Sequence, residues 1–255
     1  MKETTAIIYE DNDIIIVNKP AGMIVNNVDT AADNFTVQRW VEEKLKTENL
    51  KLKTDEDSEF RKRGGVVHRL DKETSGVMIL AKNEESFTNL QGQFKNGLVN
   101  KTYIALVHGE VSPQSGEIKV PVGRLPWNRM KFGILPGGRE SETRYRVISN
   151  FQFQISNFKS KGSKAIESLS LIEVYPKTGR THQIRIHMRH IGHPVFADAL
   201  YAGRKIRRDD RKLLHRHFLH ASKISFSHPR TKETVSFKSD LAKDLAQFLS
   251  KFKGI

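Results

Sequence analysis

The chain lacks cysteine altogether among its 255 residues, and it also lacks long apolar runs. The first absence excludes disulfides, thiolate nucleophiles and cysteine-ligated metal sites. Ile14-Ile15-Ile16-Val17 is typical of the longest apolar runs, whereas a helix needs roughly 20 apolar residues to span a bilayer. The N-terminus carries acids early and does not read as a signal peptide. We therefore expect a soluble, cytoplasmic protein with no membrane partner.

Acidic residues are outnumbered by basic ones, 29 against 43, which leaves a net charge of +14. Such an excess favours a polyanionic partner, most often nucleic acid, although a basic surface can also be merely solvated. The basic residues concentrate in three stretches that we predict as loops: 44–63, 121–139 and 204–216. No acid occurs between Pro121 and Arg139, and we expect this stretch to form a long basic hairpin or loop.

The pattern of apolar residues predicts more strands than helices. Two short strands with a polar turn between them are expected over 6–18, a helix from Thr36, and a strand and a helix over 77–94. Strands and helices rarely alternate strictly, which argues for an α+β fold with a mixed or antiparallel sheet. No repeat or linker is apparent, so residues 1–255 are predicted to be one domain.

Asp71 is the first candidate for chemistry. It follows the strand-like Val66-Val67-His68 and precedes a polar, glycine-containing turn that leads into the strand Val77–Ala81. A carboxylate on such a loop can act as a nucleophile or a general base. The alternative is that Asp71 only caps its own turn.

A second candidate constellation is the segment 178–187, TGRTHQIRIH. Its turn leads into a short helix, where Arg180 and Arg185 could approach an anion, and an arginine beside a carboxylate would keep it ionised. The alternative is two surface arginines. Evenly spaced histidines at 187, 190 and 193 are weak evidence for a metal, and the glycines form no nucleotide-binding fingerprint. We therefore predict neither a metal nor a cofactor.

Four segments, in this order, resemble the RluA-type RNA pseudouridine synthases: IIYEDNDIIIVNKPAGMIVN (7–26), HRLDKETSGVMILAKN (68–83), KTYIALVHGEV (101–111) and LIEVYPKTGRTHQIRIHMRHIGHPVFADALY (171–201). The resemblance covers most of the chain. It implies a long, mostly antiparallel mixed sheet flanked by helices and loops. It also implies site-specific isomerisation of uridine to pseudouridine in structured RNA, either rRNA or tRNA, without a cofactor.

The resemblance further implies roles for individual residues. Asp71 matches the essential aspartate, Tyr103 the tyrosine that stacks on the flipped-out uracil, and Arg185 the basic residue that pairs with the aspartate. Arg69 matches an arginine that can replace the flipped nucleotide in the RNA. The basic stretches would hold phosphates through residues that include Arg124, Arg129, Lys131 and Arg180. The sequence does not decide whether Asp71 attacks as a nucleophile or acts as a base on the sugar.

The chain departs from the family pattern in three places. It begins directly with the strand before NKPAG, so we expect no N-terminal RNA-binding module and RNA capture by the catalytic domain itself. Ser141 stands where a basic residue is expected, and Ala197 where glycine is usual. We expect a monomer with RNA as its partner and no obligatory protein partner.

Two other functions are compatible with parts of the sequence. A non-catalytic RNA-binding protein that kept the scaffold would tolerate loss of Asp71. A hydrolase with an aspartate nucleophile would need a metal or a second carboxylate, for which Glu73 is the only local candidate.

Overall fold

The computed structural model describes residues 5–27, 35–47, 58–128, 131–155 and 165–252. The strands are β1 (Ala6–Glu10), β2 (Ile14–Lys19), β3 (Ser75–Ala81), β4 (Asn100–His108), β5 (Ser115–Lys119), β6 (Val122–Arg124), β7 (Phe132–Ile134), β8 (Glu142–Ile155), β9 (Ala165–Pro176), β10 (Leu219–Ser227) and β11 (Thr234–Lys238). The helices are α1 (Val37–Thr47), α2 (Glu59–Lys62), α3 (Glu84–Lys95), α4 (Gln183–His190), α5 (Arg204–Leu213) and α6 (Lys243–Leu249). The chain divides into two compact units, residues 1–101 with 221–240, and residues 102–220 with 241–255.

The first unit is organised around the buried strands β2 and β3. Both consist largely of β-branched and other apolar residues with almost no exposed surface, as expected for strands covered on both faces. They pair antiparallel, and β1 pairs on the other edge of β2. Asn83 begins α3 because its side chain accepts the backbone N–H of Ser86 at 2.9 Å. The side chain of Gln93 donates from Nε2 to the carbonyl of Ser227 and accepts the N–H of Ser227 at Oε1. These two hydrogen bonds tie α3 to β10.

The second unit is built on antiparallel strands in the order β4-β9-β8-β5. Two apolar clusters cover it. One contains Ala105, Val107 and Val174 of the sheet with Ile184 and Met188 of α4. The other contains Leu106 and Phe218 with Leu245 and Phe248 of α6. The alternation of inward apolar residues along β4 and the spacing of apolar residues in α4 and α6 account for this packing.

The short antiparallel hairpin of β6 and β7 forms a sheet of its own. Val122 of the hairpin is buried against Ile186 and Tyr201, with Phe132 and Ile134 packed on the same cluster. The base of the hairpin is therefore anchored on α4 and the segment that follows it. The basic hairpin predicted within residues 121–139 is confirmed.

The other two basic stretches differ from the predicted loops. Residues 204–213 form α5, so the prediction of a loop over 204–216 is wrong for most of its length. Its helical period is concealed because nearly every residue is charged. The helix is held instead by buried Asp210, which contacts His108 Nε2 at 2.9 Å and accepts the N–H of Ala197 at 2.8 Å. Within 44–63, residues 44–47 end α1 and 59–62 form α2, while 48–57 lie outside the described residues.

The predicted α+β class, with a large and mostly antiparallel sheet flanked by helices, is confirmed. The prediction of one domain over residues 1–255 stays a prediction. None of the helices in the described part of the chain is both long and apolar enough to cross a membrane.

Candidate active site

Asp71 lies on a tight turn whose two ends are buried. Leu70 before it and Thr74 after it are almost fully buried, while Asp71 itself is half-buried. The N–H of Thr74 donates to the carbonyl of Asp71 at 3.1 Å and closes the turn. The predicted loop is therefore present, and it leads directly into β3. The carboxylate is carried on a backbone that is held from both sides.

Gly76 fixes where β3 leaves this turn. Its φ is +119°, and a Cβ at this position would overlap the carbonyl oxygen of Ala221 on β10. Only glycine combines such a backbone angle with so close an approach. The glycine at the end of HRLDKETSG is thus a packing requirement of the turn that carries Asp71.

His68 anchors the approach to Asp71. Its Nε2 accepts the N–H of Ile79 on β3 at 3.0 Å, and its ring stacks on Phe94 at 4.6 Å between centroids. Burial, together with the positive charges of Lys101 and Arg63, lowers the pKa of His68 to about 3. The imidazole is therefore neutral at pH 7, which leaves Nε2 with the lone pair that the Ile79 N–H requires.

A buried lysine joins the Asp71 turn to the segment after β2. Lys19 has no exposed surface. Its Nζ donates to the carbonyls of Pro20 and Met23, both at 2.9 Å, and to that of Lys72 at 3.3 Å. The N–H of Gly22 donates to the same Lys72 carbonyl at 2.7 Å. Lys19 is not among the predicted site residues. Its one signal in the sequence is a lysine at the end of an apolar strand.

Arg185 lies in the second unit, where it forms a buried ion pair. Its Nε donates to Asp198 Oδ2 at 2.7 Å and its Nη2 to Asp198 Oδ1 at 2.9 Å. Asp198 Oδ1 also accepts the N–H groups of Leu200 and Tyr201. Burial alone would raise the pKa of Asp198, but the hydrogen bonds and charge of Arg185 outweigh it and hold that pKa below its usual value. The two groups are thus both charged.

The face of Arg185 rests on an aromatic ring. Its guanidinium carbon lies 5.0 Å from the centre of Tyr201, which is a cation–π contact. The Tyr201 hydroxyl accepts the N–H of Phe132 at 3.3 Å and lies 2.8 Å from His182 Nδ1. Tyr201 therefore connects Arg185 to the β6–β7 hairpin.

Gln183 fixes the start of α4 and so the position of Arg185. It is buried, and its Oε1 accepts the hydroxyl of Thr178 at 2.7 Å and the N–H of Arg180 at 2.9 Å. Its Nε2 donates to Glu142 O and to Thr143 Oγ1 on β8. Asp198, Tyr201 and Gln183 are not among the residues predicted from the sequence. All three lie inside the segment 171–201 that carried the resemblance.

Tyr103 lies on β4 opposite Val174 of β9. It is half-buried and packs on the cluster that contains Ile184, the residue before Arg185. Tyr103 thus packs on the same cluster as Ile184 of α4, the helix that carries Arg185. Asp71 belongs to the first unit, and its predicted pairing with Arg185 stays a prediction.

The predicted RNA-binding residues differ in their surroundings. Arg69 is exposed and lies two residues before Asp71 in the chain. Arg124 is exposed on the hairpin, with its guanidinium 4.8 Å from the centre of Phe132. Lys131 directly precedes β7 and is half-buried. Arg180 donates from Nε to Glu140 O at 3.1 Å, which ties its side chain to the backbone. Arg129 lies outside the described residues.

Ser141, the residue at a position where the resemblance implies a basic side chain, is buried. Its hydroxyl donates to Val120 O at 2.6 Å and therefore accepts from Nε2 of buried His187 at 3.0 Å. Burial lowers the pKa of His187 to about 4, so this ring is neutral too. Ser141 thus serves packing behind the hairpin.

One group of side chains in the described residues has the spacing of metal ligands: Asp11, Asp13 and His228. Arg230 donates to both oxygens of Asp13, at 2.6 and 2.9 Å, and His228 Nε2 lies 2.9 Å from Asp11 Oδ2. These acceptors are engaged by cationic and N–H donors. The group is therefore better suited to an ion-pair network between the β10–β11 turn and the β1–β2 turn than to a metal.

The sequence profile of the RNA pseudouridylate synthase family matches residues 13–190. This range includes Asp71, Tyr103 and Arg185, and it covers well over half of the chain. The chain belongs to this family.

Relatives of this RNA pseudouridylate synthase family member occur in several bacteria. It is 36% identical over 251 residues to "Ribosomal large subunit pseudouridine synthase D" of Neisseria meningitidis serogroup B, which covers 96% of this chain and 60% of the relative. It is 32% identical to "Uncharacterized RNA pseudouridine synthase YlyB" of Bacillus subtilis, over 97% of this chain and 72% of the relative. The chain thus spans about three fifths of the length of the Neisseria protein.

Solved structures of the family share the fold. "Human RNA Pseudouridylate Synthase Domain Containing 1" superposes with a TM-score of 0.70 at 24% identity, over 99% of this chain and 89% of that chain. "Human RNA Pseudouridylate Synthase Domain Containing 4" superposes with a TM-score of 0.68 at 19% identity, over 97% and 94%. At these identities the likeness concerns the fold alone.

Proposed function

We propose that this protein isomerises uridine to pseudouridine in structured RNA, rRNA or tRNA, with Asp71 acting on a flipped-out uridine. The observation that carries the proposal is the position of Asp71. It is a half-buried carboxylate on a turn held by Leu70, Thr74 and the buried amine network of Lys19, inside the stretch matched by the family profile. The name of the Neisseria relative supports rRNA as the substrate class, and we propose the cytoplasm as the location.

The reaction breaks the bond between uracil N1 and the sugar, turns the base, and forms a bond from the sugar to C5. The hydrogen on C5 leaves to solvent and N1 gains a proton, so no oxidant, reductant or net water is needed. The uridine has to leave the helical stack at a cost of a few kcal/mol. Stacking of its base on Tyr103 would recover ~1–3 kcal/mol. Asp71 would act either as a nucleophile or as a general base on the sugar.

Arg185 would keep Asp71 ionised by standing beside it, as a neighbouring cation does. Its own position is set by Asp198 and Tyr201, which hold the guanidinium from one edge and one face. Arg69, which is exposed and lies two residues before Asp71 in the chain, would enter the space left by the flipped nucleotide. Arg124, Arg129, Lys131 and Arg180 would contact phosphates, which predicts a strong dependence of RNA binding on salt.

Release of tritium from RNA labelled at uridine C5 tests the proposal, with total cellular rRNA and tRNA from cells lacking the gene as substrates. We expect release by the wild-type protein and none by Asp71→Asn. Asp240→Asn is the matched control, because Asp240 is an exposed aspartate of the same unit, and it should release tritium like the wild type. Undiminished release by Asp71→Asn, or no release from any RNA, would overturn the proposal.

The products separate the isomerase from the two alternatives. Isomerisation leaves the mass of the RNA unchanged and converts uridine to pseudouridine in nuclease digests. A hydrolase would release free uracil or cleave the strand. A binding protein would retain RNA but change neither mass nor nucleoside composition.

A further inference from the structure

The tip of the β6–β7 hairpin presents a tryptophan to solvent. Trp127 is 76% exposed, which makes it the most exposed large apolar side chain in the described part of the chain. It occupies the third position of a turn in which the N–H of Asn128 donates to Leu125 O at 3.2 Å. Pro126 occupies the second position, where its fixed φ pre-orders the turn. The N–H of Leu125 also donates to Lys131 O at 3.0 Å, which closes the tip.

Trp127 is not needed to hold the hairpin. The base of the hairpin is anchored by Val122, Phe132 and Ile134 on Ile186 and Tyr201. The side chain of Leu125 lies close to Gly133 on the other strand. An indole on an ordered turn loses little side-chain freedom on binding, and its exposed area is available to a ligand.

The surroundings of Trp127 identify the chemistry of that ligand. The described residues within 121–139 include no acid and three cations, namely Arg124, Lys131 and Arg139. A single exposed ring among cations is a poor match for an apolar protein interface, which needs a contiguous patch. It matches single-stranded nucleic acid, which offers phosphates to the cations and base faces to the ring.

We propose that Trp127 stacks on an unpaired nucleobase of the RNA substrate, separate from the uridine that is isomerised. The hairpin would then recognise a loop or bulge and not a continuous duplex, since a paired base has both faces covered by its neighbours. The backbone N–H of Phe132, on the same hairpin, donates to the hydroxyl of Tyr201, and the ring of Tyr201 lies against the guanidinium of Arg185. The stacked base would therefore be held at a fixed distance from Arg185. This inference rests on the proposed function and names the substrate feature that the same protein selects.

Binding measurements test the proposal without the catalytic reaction. The probes are a stem–loop RNA with a single-stranded uridine-containing loop and a blunt duplex of equal length and composition. Trp127→Ala should weaken binding to the stem–loop roughly 5- to 150-fold, the equivalent of one lost stack, and leave duplex binding unchanged. Trp127→Phe should restore most of the affinity. Arg124→Ala should instead weaken the binding of both RNAs. It should also reduce the slope of log affinity against log salt concentration by about one.

Fluorescence provides a direct readout of the stack. The chain has two tryptophans, Trp40 on α1 and Trp127, so Trp40→Phe leaves Trp127 as the sole indole. Its emission should be quenched by the stem–loop and not by the duplex. Equal binding of both RNAs by wild type and Trp127→Ala, or unquenched emission in the bound state, would overturn the inference. If quenching occurs but no RNA releases tritium, the proposed isomerase function fails while the stack at Trp127 stands.

Discussion

The guanidinium of Arg185 and the carboxylate of Asp198 meet in a two-point ion pair that is almost completely buried, with N–O distances of 2.7 and 2.9 Å. Two parallel hydrogen bonds fix both the position and the plane of the guanidinium. Arg185 is therefore held by the scaffold before any RNA binds. Asp198 acts as a positioning residue, and the geometry that it imposes can be tested separately from the chemistry of Asp71.

Asp198→Asn should impair both stability and tritium release. Removing one charge of a buried pair leaves the other uncompensated, which typically costs ~3–5 kcal/mol. We expect a lower urea midpoint and, in protein that is still folded, a fall in kcat greater than any rise in KM. Asp209→Asn serves as the control, since Asp209 pairs with Lys212 at the surface of α5. A variant Asp198→Asn with wild-type kcat would show that the pair does not position Arg185.

Tyr201→Phe should separate the two contacts of Tyr201. The phenyl ring keeps its place under Arg185, but the hydrogen bonds with Phe132 and His182 are lost. Each buried hydrogen bond contributes on the order of 1 kcal/mol, so we expect moderate destabilisation and a rise in KM for RNA as the hairpin loosens. Tyr201→Leu, which also removes the cation–π contact, should lower kcat in addition. Identical kinetics for both variants would contradict this division of roles.

The stability of the protein should fall as the pH falls from about 6.5 towards 3, partly because of His68. The folded state holds His68 neutral with a pKa of about 3, against an ordinary value of 6.5. Below pH 6.5 the unfolded chain binds a proton at this site that the folded chain does not, so protonation favours unfolding by on the order of 1 kcal/mol per pH unit.

His68→Gln isolates this contribution, because the glutamine oxygen can still accept the N–H of Ile79 but does not titrate. Its stability, measured by urea unfolding at successive pH values, should depend less steeply on pH than that of the wild type. His187, with a pKa of about 4, titrates in the same window, and His187→Gln should remove a further part of the slope. An unchanged slope in His68→Gln would refute the assignment.

Gly76→Ala should be severely destabilising. The added Cβ would overlap the carbonyl of Ala221 at a φ of +119°, so the turn after Asp71 or the edge of β3 has to move. Gly92→Ala is the matched control: Gly92 lies in α3 with open space around it, and alanine there should stabilise by up to ~1 kcal/mol. Thermal melting of both variants measures the contrast. A well-folded Gly76→Ala with normal tritium release would show that the turn tolerates rearrangement.

Most of the features that could be predicted from the sequence are local strands, turns and helices. The strand before Asp71, its turn and β3 follow from an apolar run broken by polar residues and glycine. The helices α1, α3 and α4 follow from apolar residues at helical spacing. The charge of +14 and the acid-free stretch 121–139 predicted a basic hairpin, and it is present. These properties depend on local backbone preference and on periodicity, which a sequence displays directly.

By itself, then, the sequence determined the fold class, the family resemblance, the turn that carries Asp71 and the basic hairpin. Only the tertiary structure decided that Asp198 holds Arg185, that Tyr201 joins Arg185 to the hairpin, and that α5 is a helix anchored by buried Asp210. The physical reason is distance along the chain. A buried ion pair, a ring under a guanidinium or a buried carboxylate anchor joins groups that have no periodic relation. Their partners become apparent only when the chain is packed.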